Sequence, residues 1–194
     1  EIRGKSEQQS SAEPRYDFVY RGQIFGLFLI AEKEDRLYIV DQHAAHERIL
    51  YEKFAADTRP QGLLVPLDFE TEADEDFLVE ENLPALENLG IRVEKKEAGR
   101  WSVTAVPESY HGAESAVAEV AGSRYEAAGG LKKQLFATMA CRKAVKDKDS
   151  LDPATACEII REAFRLDEPR CPHGRPIWFE IGKEDLFCEV GRIV

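Results

Sequence analysis

Apolar positions along the chain follow two rhythms, one with strand spacing and one with helix spacing. Phe18–Val19–Tyr20 and Gln23 to Ala31 make a near-continuous apolar run, and Arg36 to Val40 makes a second. The charged residues Glu32 to Asp35 between them read as a tight turn, so a hairpin covered on both faces is expected. At Asp41 the period changes. Ala44, Ala45, Ile49, Leu50 and Phe54 recur as the buried stripe of a helix, which Asp57–Thr58–Arg59–Pro60 ends. Leu63 to Phe69 alternate as a strand. Thr71 to Leu89 predicts a helix with an acidic first turn, Pro84 as a point of kinking and Gly90 as its C-cap. Ile91–Glu97 and Arg100–Val106, around Ala98–Gly99, predict a second hairpin, and Glu114–Ala121 a short helix. Leu131 to Lys146 reads as a strong helix, and Asp152–Pro153 caps another that runs to Phe164. A proline-rich loop, Asp167 to Pro176, leads into a strand at Ile177–Ile181 and a closing helix near Asp185–Glu189. Interleaved helices and strands give an α/β (α+β) class.

A length of 194 residues bounds this to one domain or two small subdomains. Hydrophobic residues at 43% and charged residues at 32% exclude a disordered or collagen-like chain. No apolar run approaches the roughly 18–20 residues of a membrane span, so no membrane partner is expected. The polar stretch Glu1 to Pro14 reads as a flexible linker, and the start at Glu1 without methionine leads us to expect a fragment of a longer protein. No export signal is visible, so the expected setting is cytoplasmic and reducing. A net charge of −11 predicts feeble intrinsic binding to DNA, without excluding an enzyme that reaches nucleic acid through metal ions and partner proteins.

Four segments could carry chemistry. The first is Asp41–Gln42–His43–Ala44–Ala45–His46–Glu47, where Asp41 stands at a strand end and helix start. His43 and Glu47 are four apart and share a helix face about a turn from Asp41. Carboxylate, imidazole and carboxylate converging there make a divalent-metal site; the plainer alternative is an N-cap with a solvated His and Glu. Glu52 is four from Arg48, a spacing that favours a surface ion pair. The second segment is Cys171–Pro172–His173–Gly174–Arg175–Pro176, a stiffened loop offering two ligands, too few to hold an ion alone. Joined to the first segment, it would give a mixed soft and hard donor set that suits Zn²⁺ or Mn²⁺ better than Mg²⁺. The third is Ala140–Cys141–Arg142, whose cysteine reads equally as a small buried hydrophobe. The fourth is Gln61–Gly62–Leu63–Leu64–Val65–Pro66, either an edge strand or a peptide that docks into a partner's pocket.

Asp-Gln-His-Ala-x2-Glu-x4-Glu, Ala-Cys-Arg and Cys-Pro-His-Gly-Arg-Pro, in this order, closely resemble the C-terminal domain of the MutL mismatch-repair proteins, in the branch with an endonuclease site. The resemblance covers roughly Tyr16 to Val194, and Val190–Gly191–Arg192 stands where that family usually has aromatic-x-Arg. It implies a metal-dependent nicking endonuclease with Asp41 and Glu47 as catalytic metal ligands, and with His43, Cys141, Cys171 and His173 completing the site. The implied cofactors are Zn²⁺ and Mn²⁺, two ions being expected; ATP would be bound elsewhere, in an ATPase domain preceding this one. Gln61, Leu63, Leu64, Val65 and Pro66 sit where bacterial members dock on the replicase sliding clamp. The resemblance further implies a homodimer, weak contact with DNA, the mismatch-recognition protein MutS as a partner through the longer chain, and association with the nucleoid. It places a discontinuous dimerisation and metal-site subdomain at residues 15–60 and 147–194, with an external regulatory α/β subdomain inserted at 61–146. Lys132, Lys133, Arg142, Lys143 and Lys146 would offset the acidic surface near the site, and Arg175 either contacts phosphate or holds its loop. Two rivals stand beside this reading. One is a clamp-binding dimerisation module with a structural zinc; the other is a thiol hydrolase using Cys171 with His173 or His43.

Overall fold

A computed structural model describes residues 16–125 and 129–192, so the linker expected at residues 1–14 lies outside the described residues. Seven strands and six helices alternate in two groups. The first is a four-stranded antiparallel sheet of order β1-β2-β3-β7, from Val19–Ile24 (β1), Phe28–Lys33 (β2), Arg36–Asp41 (β3) and Trp178–Gly182 (β7). The second is a three-stranded antiparallel sheet of order β4-β6-β5, from Pro60–Glu70 (β4), Arg92–Glu97 (β5) and Arg100–Pro107 (β6). The helices are Gln42–Ala56 (α1), Ala73–Asn88 (α2), Ser115–Ala121 (α3), Gly130–Lys143 (α4), Pro153–Ala163 (α5) and Lys183–Glu189 (α6).

The first apolar run was expected to reach Ala31 as one strand; it breaks into two. Phe25 and Gly26 both take positive φ, 55° and 64°, and Leu27 N–H donates to the Ile24 carbonyl at 3.1 Å. That is the primed turn whose twist suits a hairpin, and a phenylalanine tolerates it poorly, so hydrophobic continuity concealed it. The helix expected to Lys146 stops at Lys143, where Ala144 turns extended. Pro84 lies inside α2 without ending it. Gly90, at φ 77°, closes that helix and sits where an added Cβ would come 2.2 Å from the Thr58 carbonyl oxygen, so only glycine fits.

Two hydrophobic cores result. Leu29, Ala31 and Val40 from one face of the larger sheet pack with Ala44 and Ala45 of α1 and with Ala156, Ile159, Ile160 and Ala163 of α5. The other core gathers Leu86, Trp101, Val103, Tyr110, Leu135, Phe136 and Met139 around Leu50 and Phe54 of the same α1. Rings of Phe54, Tyr110 and Phe136 stack edge-on there, each pair adding about 0.5–1.5 kcal/mol beyond area burial. The Trp101 indole N–H donates to Asp76 Oδ1 at 2.7 Å, which satisfies it inside the core.

Successive residues of a strand face opposite ways, so the residues that alternate with Leu29 and Ala31 form a second row on the far side of the larger sheet. Ile30 pairs with Ile39 and Ile39 with Phe179; Leu37 pairs with Ile181, and Ile24 with Phe28. Phe179 on this row is 55% exposed, and Leu37 at its end shares a pocket with Leu186 and Phe187 of α6. No described helix is long and apolar enough to cross a membrane.

Candidate metal centre

The centre is built on the first half of α1. The helix starts where β3 ends, and the Asp41 carboxylate caps it by accepting from Ala44 N–H at 2.8 Å. From that start the 3.6-residue period turns Gln42 and Glu47 into the protein, and both are fully buried. Glu47 is the unusual one. Its Oε2 lies 3.3 Å from His173 Nδ1, while its Oε1 is buried without a hydrogen-bond partner. A carboxylate withdrawn from water with an idle oxygen is costly unless a proton or a cation completes it.

Two further segments bring donors to it. At the C-terminal end of α4, Cys141 joins His43 and Glu47 in a group whose ligand atoms all lie within 4.8 Å of one another. A small hairpin brings the rest: Arg170 bridges to Pro176, Cys171 N–H donates to the Arg175 carbonyl at 2.9 Å, and Gly174 N–H to the Cys171 carbonyl at 2.8 Å. This closed turn buries Cys171 and exposes His173, and the two form a second group with Glu47 on the same 4.8 Å criterion. Arg48 ties the hairpin's base to the helix, its guanidinium reaching the Arg170 carbonyl at 3.4 Å.

His43 is fixed by a neighbour that sequence spacing did not reveal. Its Nδ1 lies 2.7 Å from the Val145 carbonyl oxygen, which can only accept, so Nδ1 carries the proton and Nε2 keeps the lone pair a cation needs. His46 meets the other backbone group of that residue: Val145 N–H donates to its Nδ1 at 3.1 Å. Burial first, and then the nearby His43, Lys143 and Lys53 charges, hold the His46 pKa below its ordinary value, which agrees with this accepting role. Arg175 points its charge at the same cluster. Interaction with the Cys171 sulfur, and then the charges of Cys171, Asp41 and Glu47, hold the guanidinium pKa above its ordinary value against desolvation.

The structure therefore brings together five of the six residues expected as metal ligands: His43, Glu47, Cys141, Cys171 and His173. Asp41 stands at the helix start beside them but belongs to neither group, and one of its oxygens is engaged in capping. Glu52 pairs with Arg48 at 2.5 Å on the helix surface, as its spacing predicts. The donor set fits a borderline-soft divalent ion: imidazoles, thiols and one buried carboxylate with a free oxygen. Beside the centre an open groove of about 700 Å³ runs between α4 and the hairpin, with Lys133, Thr138, Cys141, Arg142 and His173 along it. The residue that sequence reasoning passed over is Gln42. An amide at a helix start signals nothing unusual, and two of its partners lie more than a hundred positions downstream.

Far from the centre, Gln61 to Pro66 lies in β4 at the edge of the smaller sheet. Gly62 pairs with Ala105 and Leu67 with Val103, but the register slips between them. Leu64 and Val65, in the slipped stretch, project fully into solvent at 103% and 82% exposure.

A family model described as the MutL C-terminal dimerisation domain matches residues 21–151. Relatives catalogued as DNA mismatch repair protein MutL are similar over almost the whole chain. That of Treponema pallidum is 37% identical over 177 residues, 90% of this chain and 28% of its own length. That of Halothermothrix orenii is 37% identical over 184 residues, 88% of this chain and 29% of its own length. That of Agathobacter rectalis is 32% identical over 196 residues, 95% of this chain and 30% of its own length. The chain thus spans under a third of the proteins it matches.

Proposed function

The chain belongs to the MutL C-terminal domain family, and on that premise we propose that it is the metal-dependent DNA-nicking and dimerisation domain of a mismatch-repair protein. The observation that carries this reading is the convergence of four donors on one buried carboxylate whose second oxygen has no partner. Glu47 is common to both donor groups, so it is the residue suited to bridging two ions; His43 with Cys141 serves one side and Cys171 with His173 the other. Divalent ions held there supply activation of water and stabilisation of charge on a phosphodiester undergoing hydrolysis. The chain's own residues do the rest. His43 and His173 hold donor nitrogens in place, the buried Glu47 excludes water from the centre's inner side, and Arg175 offsets the negative charge gathered around Cys171, Asp41 and Glu47. Asp41 anchors the helix start, with a second oxygen left to approach an ion or the water it activates. Lys133 lines the groove beside the centre and suits the substrate's phosphates, while Arg142 is paired there with Glu119.

Homodimerisation is supported by the apolar row Ile30–Ile39–Phe179, on which Phe179 is exposed. Docking on a sliding clamp is supported by Leu64 and Val65 standing out from β4, with Gln61 at the start of the same stretch. That contact would deliver substrate by raising its effective concentration, where net charge gives little help. Contact with MutS through the longer protein, and the nucleoid as the setting, follow from the same reading.

The test is plasmid nicking by the full-length protein with Mn²⁺ and clamp. Wild type should convert supercoiled to relaxed DNA, while Asp41→Asn, which can still cap the helix, and Glu47→Lys should fall to background. Equal nicking by all three would remove the assignment. Bound zinc and intact dimers without nicking by wild type would favour the structural-zinc module instead.

A further inference from the structure

Three segments distant in sequence cross at the start of α1, and one amide side chain joins them. Gln42 is fully buried, and its Nε2 faces the Lys146 carbonyl at 3.1 Å, the Asp149 carbonyl at 3.2 Å and the Gly26 carbonyl at 3.2 Å. Its Oε1 accepts from Gln23 Nε2 at 2.5 Å, and Gln23 also reaches the Asp149 carbonyl at 2.7 Å and accepts from Leu151 N–H at 3.3 Å. Lys148 N–H completes the junction by donating to Gly26 at 2.8 Å. Three carbonyls on one side and one donor on the other leave Gln42 a single workable orientation. The strap that follows α4 is therefore held at residue 146 by this amide. At residue 144 it is held by the last helical hydrogen bond, Ala144 N–H to the Ala140 carbonyl at 2.8 Å. Val145 lies between those two anchors, so the peptide groups on either side of its Cα are held in place. His46 takes the N–H of the first and His43 the carbonyl of the second.

We propose that Gln42 is a positioning residue for the centre: by pinning the strap it orients the Val145 peptide, and the Val145 carbonyl in turn keeps the His43 proton on Nδ1 and its Nε2 free for a cation. The inference rests on the reading of His43 as a ligand, and it extends the centre's support to a side chain that touches no donor. The physical logic is that of an outer shell, where the partner of a ligating imidazole sets both its tautomer and its direction. His46 holds the preceding peptide group in the opposite sense. Its Nδ1 accepts from the Val145 N–H, so the two imidazoles hold opposite tautomers on either side of one residue.

The test uses the 194-residue chain, first without metal. Nitrogen-15 spectra of the imidazoles at mildly alkaline pH should show His43 in wild type as the Nδ1–H tautomer alone. Gln42→Met, which keeps the volume and removes the amide, should shift His43 toward the mixture of a solvated imidazole. Zn²⁺ affinity, measured by competition with a chelator, should weaken about tenfold, the lower end of what loss of an outer-shell partner costs. The Co²⁺ absorption band should move with it. Gln23→Met retains the three carbonyl contacts of Gln42 and should give a smaller shift in the same direction, which keeps the test open if Gln42→Met folds poorly. An unchanged tautomer and unchanged affinity in both variants would overturn the proposal, whatever their thermal stability. If wild type binds no Zn²⁺ but the tautomer still shifts, the metal reading fails and the link from Gln42 to His43 stands.

Discussion

Gln42 and Glu47 sit five positions apart on one helix, both fully buried and both polar, yet they are treated in opposite ways. The amide at the helix start has every polar atom engaged, by backbone carbonyls from the β1–β2 turn and the strap after α4 and by a second glutamine. The carboxylate further along has one oxygen against an exposed histidine and the other against nothing. The first arrangement is what a fold does with a polar group it needs for shape, since a satisfied amide in low dielectric is both strong and directional. The second is what a fold tolerates only where something else completes the group. Burial alone does not separate architecture from chemistry; the count of unmet bonds does.

The contrast can be broken or sharpened in order of expected effect. Substituting Glu47→Met should abolish stabilisation by zinc. Wild type at free Zn²⁺ a hundredfold above its dissociation constant should gain about 2.7 kcal/mol over the chelated protein, and the variant nothing, as followed by urea unfolding. In chelator the same variant should be the more stable protein by about 1 kcal/mol, because a buried carboxyl with an idle oxygen has been exchanged for packing. Gln42→Met should do the reverse in chelator and lose about 2 kcal/mol, the cost of leaving buried carbonyls without their donor. Were both variants to lose stability equally, the distinction drawn between the two residues would fail.

A second carboxylate, Asp76, provides the control. It accepts from Lys95, from the Trp101 indole and from Gly99 N–H, and the Lys95 contact leads in holding its pKa below the ordinary 3.8. A carboxyl with a depressed folded value contributes its full stability above the unfolded value and loses it as pH falls through the folded one. Urea midpoints measured below about 3.8 should therefore decline more steeply for wild type than for Asp76→Asn. The smallest effect belongs to the edge of the smaller sheet. Leu64→Ser with Val65→Ser should change unfolding free energy by less than about 0.5 kcal/mol, since neither side chain is buried, while clamp-stimulated nicking should drop.

Much of this was legible in the residues. The period switch at Asp41 marks the strand-to-helix junction because both rhythms meet there, and spacing of four alone puts His43 and Glu47 on one face. Asp152 and Pro153 announce α5 by chemistry that admits few other readings. What stayed hidden involves backbone. The turn at Phe25–Gly26 uses a residue that turns ordinarily avoid, and the partners of Gln42 and His43 are carbonyls, which carry no side-chain signature. The Val145 side chain signals only a place against the core; its part in the centre is played by its backbone N–H and carbonyl.

Helix α1 gives Ala44 and Ala45 to one core and Leu50 and Phe54 to the other, so a single fifteen-residue rod is the axle of both. Neither half can melt while leaving the other's interior dry. Heat should then take the described protein apart in one calorimetric step instead of two. A pull applied at the smaller sheet would travel down that axle to the proposed cation donors, His43 and Glu47.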